Sequence, residues 1–249
     1  MNNADNNQKL TTTLVVMALN EIDGCRAIMP QIKPEWCQQI LFIDGGSTDG
    51  TVQWAKEQGY QIHRQEKRGI RQGYKEAWHL IEGDIVITFS PDGNCIADKI
   101  PELIAKMKEG YDMVIGSRYL GDASSDDDDV VTGWGNWFFT KTVNVLFGGD
   151  FTDVMVIFRA YRTDLVKRLC LEDETAFGWV DKIFRLPTGE LSWEPLLTVR
   201  AQKHGCKIAE IPISEPARIG GVRKLKVIRW GGAVYLQFLR EFFSSRPSK

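Results

Sequence analysis

From Thr13 to Arg118, short apolar runs alternate with longer stretches in which apolar and polar residues recur at helical spacing. The runs Leu14 to Leu19, Ile40 to Ile43, Tyr60 to His63, Ile85 to Phe89 and Met113 to Ile115 have the length of strands. Between them lie helix-like stretches at Ile22 to Ile32, Thr51 to Gln58, Gly69 to Ile81 and Ala97 to Lys108. Strand-sized runs separated by helix-sized segments predict βαβ units and a parallel sheet. In such sheets ligands bind outside the carboxyl ends of the strands, so chemistry is expected just after each run.

Beyond Arg118 the regularity ends. Residues 121–129 (GDASSDDDD) read as an acidic, mobile loop and solvated tip. An aromatic segment follows from Trp134 to Phe147, then a strand-like run, Val154 to Phe158, leading into Arg159 to Arg162. Leu165 to Gly189 has no clear pattern. Pro195 suits the first turn of a helix running to His204, and Lys207 to Ile213 reads as a further strand. With no internal repeat and no long linker, the pattern predicts a polar, disordered tail (1–12), a single α/β domain (13–226) and a C-terminal amphipathic helix (227–249).

Composition narrows the partners more than the fold. A chain of 249 residues, 43% hydrophobic and 26% charged, suits one sizeable globular domain. A formal net charge of −2 gives no general attraction to nucleic acid, so an anionic ligand must be held by a local basic cluster or a metal. The five scattered cysteines include no CxxC pair, which argues for free thiols in a reducing compartment. The N-terminal MNNADNNQK lacks the apolar stretch of a secretory signal. The best apolar stretch, Trp230 to Leu239, is far shorter than the roughly 20 residues a membrane span needs. A cytoplasmic location is expected.

Two segments carry candidate chemistry. Asp44 ends the run Ile40 to Ile43 and is followed by Gly45-Gly46-Ser47-Thr48-Asp49-Gly50-Thr51. A carboxylate there can accept hydrogen bonds from a base or ribose, with glycines allowing close backbone approach. The plainer reading is a tight turn with a helix cap. Ser90-Pro91-Asp92-Gly93-Asn94 follows Ile85 to Phe89 and places two oxygen donors, on Asp92 and Asn94, two residues apart. Oxygen ligands at a strand end suit Mg2+ or Mn2+ bridging to phosphate, although PDGN is also a strong turn sequence.

An ordered set of motifs extends these two: Asn20-Glu21, Asp44 to Thr51, Arg68-Gly69, Gly73, Ala77, Gly83-Asp84, Asp92, and Asp112 to Tyr119. Together they resemble the family 2 inverting glycosyltransferases of GT-A fold, a Rossmann-like, mostly parallel sheet flanked by helices. The likeness continues through Phe158 to Arg162, Lys207 to Ile213 and Arg218 to Leu225, and within the family points to the polyprenyl-phosphate (dolichyl-phosphate) mannosyl- and glucosyltransferases. The resemblance implies transfer of a sugar from a GDP- or UDP-linked donor to a polyprenyl phosphate, with inversion and metal assistance. It makes Asp44 a nucleotide-base contact and Leu19, Asn20 and Glu21 the lining of the nucleotide pocket. Asp92 becomes a metal or diphosphate ligand, Asn94 a further metal ligand, and Arg118, Arg218 and Lys224 basic groups near the diphosphate or an acceptor phosphate.

Three departures stand out. Ser90 replaces the first carboxylate of the usual Asp-x-Asp metal signature, Ile157 replaces a glycine before Phe158-Arg159, and the loop after Tyr119 is acidic where a basic one would hold an acceptor phosphate. These favour two alternatives: an enzyme acting on a soluble sugar or protein hydroxyl, or a nucleotide-sugar binding protein with impaired catalysis. A hydroxyl acceptor would need a carboxylate as base, for which Asp173, Glu174, Asp181 and Glu194 are the candidates. The aromatic residues of Trp134 to Phe147, and Val227, Trp230, Val234 and Phe238 with their flanking cations, suit helices at a bilayer interface. The same helices could instead pack on the sheet or form a homo-oligomer contact.

Overall fold

The computed structural model describes residues 10–220 and 227–244. The predicted tail therefore lies mostly outside the described residues. Seven strands form one sheet: β1 (Thr12–Ala18), β2 (Gln39–Asp44), β3 (Gln61–Arg64), β4 (Ile85–Phe89), β5 (Met113–Ser117), β6 (Arg159–Arg162) and β7 (Ile208–Pro212). Their order is β3-β2-β1-β4-β6-β5-β7. All neighbouring pairs run parallel except those made by β6, which is antiparallel to both β4 and β5. The GT-A-like, mostly parallel sheet expected from the sequence is present.

The central strands β1, β4 and β5 are almost wholly buried because helices cover both faces, which explains why their sequences read as unbroken apolar runs. The edge strand β3 is polar and partly exposed, as an unpaired edge requires. Helices α1 (Ile22–Ile28), α2 (Thr51–Glu57), α3 (Ile70–Ala77) and α4 (Ile100–Lys108) connect the first five strands. Register fixes where the loops go. Ala18 pairs with Asp44 and Val16 with Phe89, so the chain leaves β1, β2 and β4 at the same end of the sheet.

The second half departs from the sequence reading in two places. Val154 to Phe158 is not a strand; the strand is Arg159–Arg162 alone. The apolar side chains before it are buried in turns, where Val156 and Val154 offer carbonyl oxygens to the buried Arg159 guanidinium. Burial, rather than pairing, explains their apolar character. The long connection between β5 and β6 holds α5 (Val130–Phe147), which begins four residues before the aromatic segment. Asp129 caps it: Thr132 N donates to Asp129 Oδ1 at 2.8 Å, and Asp129 N donates back to the Thr132 hydroxyl at 2.9 Å.

The segment without pattern forms α6 (Leu165–Arg168) and α7 (Gly178–Phe184), followed by α8 (Glu194–Lys203). The last helix, α9 (Val227–Phe243), buries Ala233, Val234 and Phe238 in the common core. Its Phe238 ring meets Phe139 edge-on at 6.2 Å, and Glu241 pairs with Arg200 at 2.7 Å. On the outside, α5 leaves Val131, Trp134 and Trp137 more than half exposed. No helix among the described residues is long and apolar enough to cross a membrane.

Candidate donor site

The loops after β1 and β2 are bound to each other. Asn20 Oδ1 accepts from Thr48 N at 2.8 Å, Asn20 N donates to the Ser47 hydroxyl at 2.9 Å, and Glu21 N to the Thr51 hydroxyl at 3.0 Å. Ile22 N donates to Asp49 Oδ2 at 3.0 Å. Leu19 lies against Gly45, where an added Cβ would approach its side chain to 3.3 Å. The structure thus brings Leu19, Asn20, Glu21 and Asp44 together. Asp44 is 1% exposed, and its carboxylate accepts from Gly46 N at 3.0 Å and Ser47 N at 3.1 Å. Gly46 has φ of 98°, a left-handed conformation that glycine adopts without cost. The exposed Arg64 guanidinium stands 3.8 Å from the same carboxylate, so a charge partner reaches it from β3.

The loop after β4 touches the opposite side of the same β1 loop. A Cβ at Gly24 of α1 would lie 2.2 Å from the Pro91 carbonyl oxygen and 3.0 Å from Asp92 Cα, so only glycine permits this approach. Asp92 Oδ1 accepts from Asn94 N at 3.2 Å across Gly93, whose φ is also 98°. Asn94 is buried, and its Oδ1 has no hydrogen-bond partner among the described residues. A buried, unsatisfied carbonyl oxygen beside a carboxylate is a donor set that a hard cation would complete. Among the described residues no group of three His, Cys, Asp or Glu side chains could hold a metal. Any cation here must draw its remaining ligands from phosphate oxygens or water, the usual arrangement for Mg2+ on a nucleotide.

Arg118 and Arg218 do not present free charge. Arg118 is 7% exposed; its Nε donates to Asp153 Oδ2 at 2.6 Å, its Nη2 to Oδ1 at 3.0 Å and its Nη1 to Glu215 Oε2 at 3.2 Å. Burial works against its charge, but Asp153 and Glu215 outweigh that and hold its pKa well above the ordinary value. Arg218 Nη1 lies 2.5 Å from Asp92 Oδ2, and its Nη2 lies 3.8 Å from Asp127. Lys224 lies outside the described residues.

The acidic loop is tied down by hydrogen bonds, although Asp122, Asp126 and Asp129 are exposed as a solvated tip would have them. Asp126 N donates to the Glu215 carbonyl at 2.8 Å, Glu215 N donates to the Ser124 carbonyl at 2.8 Å, and Ser125 bridges to Glu215. Asp128 accepts from the Tyr119 hydroxyl and from Asn136 Nδ2 at 3.0 Å, with Arg118 at 3.9 Å. Burial opposes its ionisation, yet Tyr119 and Arg118 keep its pKa below the usual carboxylate range. Repulsion among the aspartates is offset by the two arginines they enclose.

A model of Glycosyl transferase family 2 matches residues 37–170, more than half of the chain. The chain belongs to glycosyl transferase family 2. Among its curated relatives are Glycosyltransferase AglJ of Haloferax volcanii, 26% identical over 230 residues and covering 92% of this chain and 71% of the relative. Polyprenol monophosphomannose synthase of Mycolicibacterium smegmatis is 26% identical over 246 residues, covering 88% and 86%. Among solved structures, glucosyl-3-phosphoglycerate synthase of Mycobacterium tuberculosis, in complex with Mn2+, UDP and phosphoglyceric acid, superposes with a TM-score of 0.64. That match covers 96% of this chain and 81% of the other at 17% identity, and it shows a shared GT-A fold.

These findings correct the narrower likeness to the polyprenyl-phosphate enzymes. Several solved structures that share this fold hold phosphoglyceric acid or glycerol 3-phosphate, which are soluble molecules. The family 2 site itself agrees: Arg118 and Arg218, expected near an acceptor phosphate, are already neutralised by Asp153, Glu215, Asp92 and Asp127. A polyprenyl phosphate acceptor is therefore not retained. The expected divalent cation has its counterpart in several solved structures that share the fold, which contain Mn2+ with UDP or UDP-glucose.

The four base candidates of this family 2 enzyme have structural partners. Asp181 accepts from the buried Arg71 at 3.0 Å, and Glu174 from Arg71 at 3.1 Å and Lys75 at 2.7 Å. Asp173 caps the turn at Thr175 N, 2.8 Å away. Glu194 is 1% exposed and accepts from the Tyr74 hydroxyl at 2.5 Å. Burial raises its pKa, with Tyr74 and Arg159 opposing. Sequence reasoning missed Asp153 and Glu215. The only signal for them was the unbalanced charge of Arg118 at a strand end.

Proposed function

We propose that this glycosyltransferase moves a sugar from a nucleoside diphosphate sugar to a hydroxyl group of a soluble acceptor. The observation that supports the donor half is the junction of three loops: residues 19–24 bind the Asp44 turn on one side and touch the Asp92 turn on the other. A nucleotide laid across that junction meets Leu19, Asn20, Glu21 and Asp44 with its nucleoside and Asp92 and Asn94 with its diphosphate end. Asp92 and Asn94 would hold Mg2+ or Mn2+, which supplies positive charge against that building on the leaving diphosphate.

The acceptor half is supported by the charge around Arg118 and Arg218. Asp128 and Glu215 pair with Arg118 and Asp127 with Arg218, so these guanidiniums offer little net attraction to an anionic nucleophile, which suits attack by a hydroxyl. The exposed face of α5 around Trp134 and Trp137 is the surface we assign to contact with a bilayer interface or with a second copy; sedimentation with and without anionic vesicles separates these.

The test is transfer of labelled sugar from UDP- and GDP-linked donors to a panel of neutral, phosphorylated and cationic soluble hydroxyl compounds. Metal-dependent transfer to a hydroxyl of a soluble acceptor supports the reading. Transfer to a phosphate oxygen instead of a hydroxyl contradicts the acceptor half, and donor untouched under every condition contradicts the whole.

A further inference from the structure

Arg218 occupies the position in which a cation is wanted. Its Nη1 lies 2.5 Å from Asp92 Oδ2, and the next amide, Ile219 N, donates to the Asp92 carbonyl at 2.7 Å. The Ile219 side chain lies on Gly93, where a Cβ would meet its Cγ1 at 2.8 Å, and Gly220 abuts Asp23, with a Cβ 3.3 Å from its Oδ2. Residues 218–220 thus form a strap beside the Asp92 turn, held by the ion pair to Asp92, a longer one to Asp127, one backbone bond and close approach at Gly93 and Asp23. Asn94 Oδ1 and Arg218 Nε are both buried and have no hydrogen-bond partner among the described residues. Both are groups that a ligand would satisfy.

The strap and a bound cation cannot share Asp92 Oδ2. A divalent ion sits about 2.0–2.2 Å from a carboxylate oxygen, and a guanidinium nitrogen at 2.5 Å fills the same space with the same sign of charge. Asp92 has only 6% side-chain exposure, so water screens the repulsion weakly. Arg218 has a second carboxylate in view, since Asp127 stands 3.8 Å from its Nη2. One guanidinium between two carboxylates is an element with two discrete arrangements.

We propose that Arg218 is an internal counter-ion that latches the 218–220 strap over the cation position, and that a divalent cation arriving with the nucleotide displaces it from Asp92 toward Asp127. The inference rests on the donor reading above. In the latched form the cation-competent population is reduced, so the apparent metal affinity is lower than the ligand set would give. Opening of the strap is then coupled to donor entry, and the Ile219 amide reports it because its acceptor is the Asp92 backbone.

The experiment titrates Mn2+ alone into the full chain, following free Mn2+ by electron paramagnetic resonance, for the wild type, Arg218→Gln and Arg218→Lys. Hydrogen exchange at the Ile219 amide is measured with and without Mn2+ and UDP. The latch predicts Mn2+ binding roughly three- to tenfold tighter in Arg218→Gln, near-wild-type binding in Arg218→Lys, and faster Ile219 exchange when Mn2+ and UDP are present. Equal Mn2+ affinity in the wild type and Arg218→Gln, or Ile219 exchange that does not rise, overturns the latch and leaves the donor reading standing. Failure of all three proteins to bind Mn2+, with UDP or GDP also present, overturns both.

Discussion

Arg118 and Asp153 form a two-point ion pair, Nε to Oδ2 at 2.6 Å and Nη2 to Oδ1 at 3.0 Å, with Asp153 wholly buried. Through it β5, which delivers Arg118, is tied to the turn that precedes β6. Asp153 also accepts from Met155 N and Val156 N, each at 3.2 Å, so its carboxylate organises that turn. The pair holds Arg118 against that turn.

Removing one partner of such a pair leaves a buried, uncompensated charge. Arg118→Ala is expected to lower unfolding free energy by about 3–5 kcal/mol, with Arg118→Lys in between because a lysine cannot reproduce the fork. Urea denaturation of the three proteins checks this. Loss of transfer with unchanged stability would instead make Arg118 a substrate contact.

Gly24 decides how closely α1 approaches the Asp92 turn. Gly24→Ala places a methyl 2.2 Å from the Pro91 carbonyl oxygen, which must move. Overpacking of this kind costs roughly 1–3 kcal/mol, and the displaced turn should bind Mn2+ and nucleotide at least about tenfold more weakly, which is about 1.4 kcal/mol. Calorimetric titration with Mn2+ and UDP reads the effect; unaltered binding would mean that the turn does not hold the diphosphate.

Glu194 gives a pH signature. Burial lifts its pKa above the ordinary 4.5, so between 4.5 and the raised value the folded chain holds a proton that the unfolded chain releases. The contribution to stability is complete below 4.5 and is lost as pH rises through the raised value. The wild-type stability minus that of Glu194→Gln should therefore fall as pH rises from 4.5 through the raised value. Denaturation across that rise measures it, and a difference that stays constant or grows with pH would contradict the assignment.

The first half of the fold was legible because its central strands are covered on both faces and each connection is short. Buried parallel strands have to be apolar throughout, and Ile40 to Ile43 and Ile85 to Phe89 are. The second half hid its plan for physical reasons. Val154 to Phe158 is apolar because it packs in turns around Arg159, and the strand itself contains two arginines, at 159 and 162, that no apolar pattern reveals. The acidic run looked like a solvated tip because its counter-charges, Arg118 and Arg218, are 10 and 91 residues away from Asp128 and Asp127 in sequence. Within the site, Asp44 and Asp92 could be found from their positions at strand ends. Their partners could not, since Arg64, Asp153, Glu215 and Arg218 meet them or their neighbours only through the fold.

The most direct measurement is the melting temperature of the chain with UDP or GDP, in the presence and absence of Mn2+, for the wild type, Asp92→Ala and the exposed control Asp98→Ala. A ligand that binds only the folded state stabilises by mass action, by about 2.7 kcal/mol at a hundredfold excess over Kd. The account predicts a Mn2+-dependent rise in the wild type and in Asp98→Ala that disappears in Asp92→Ala. An equal rise in Asp92→Ala, or no rise with any nucleotide, would contradict it.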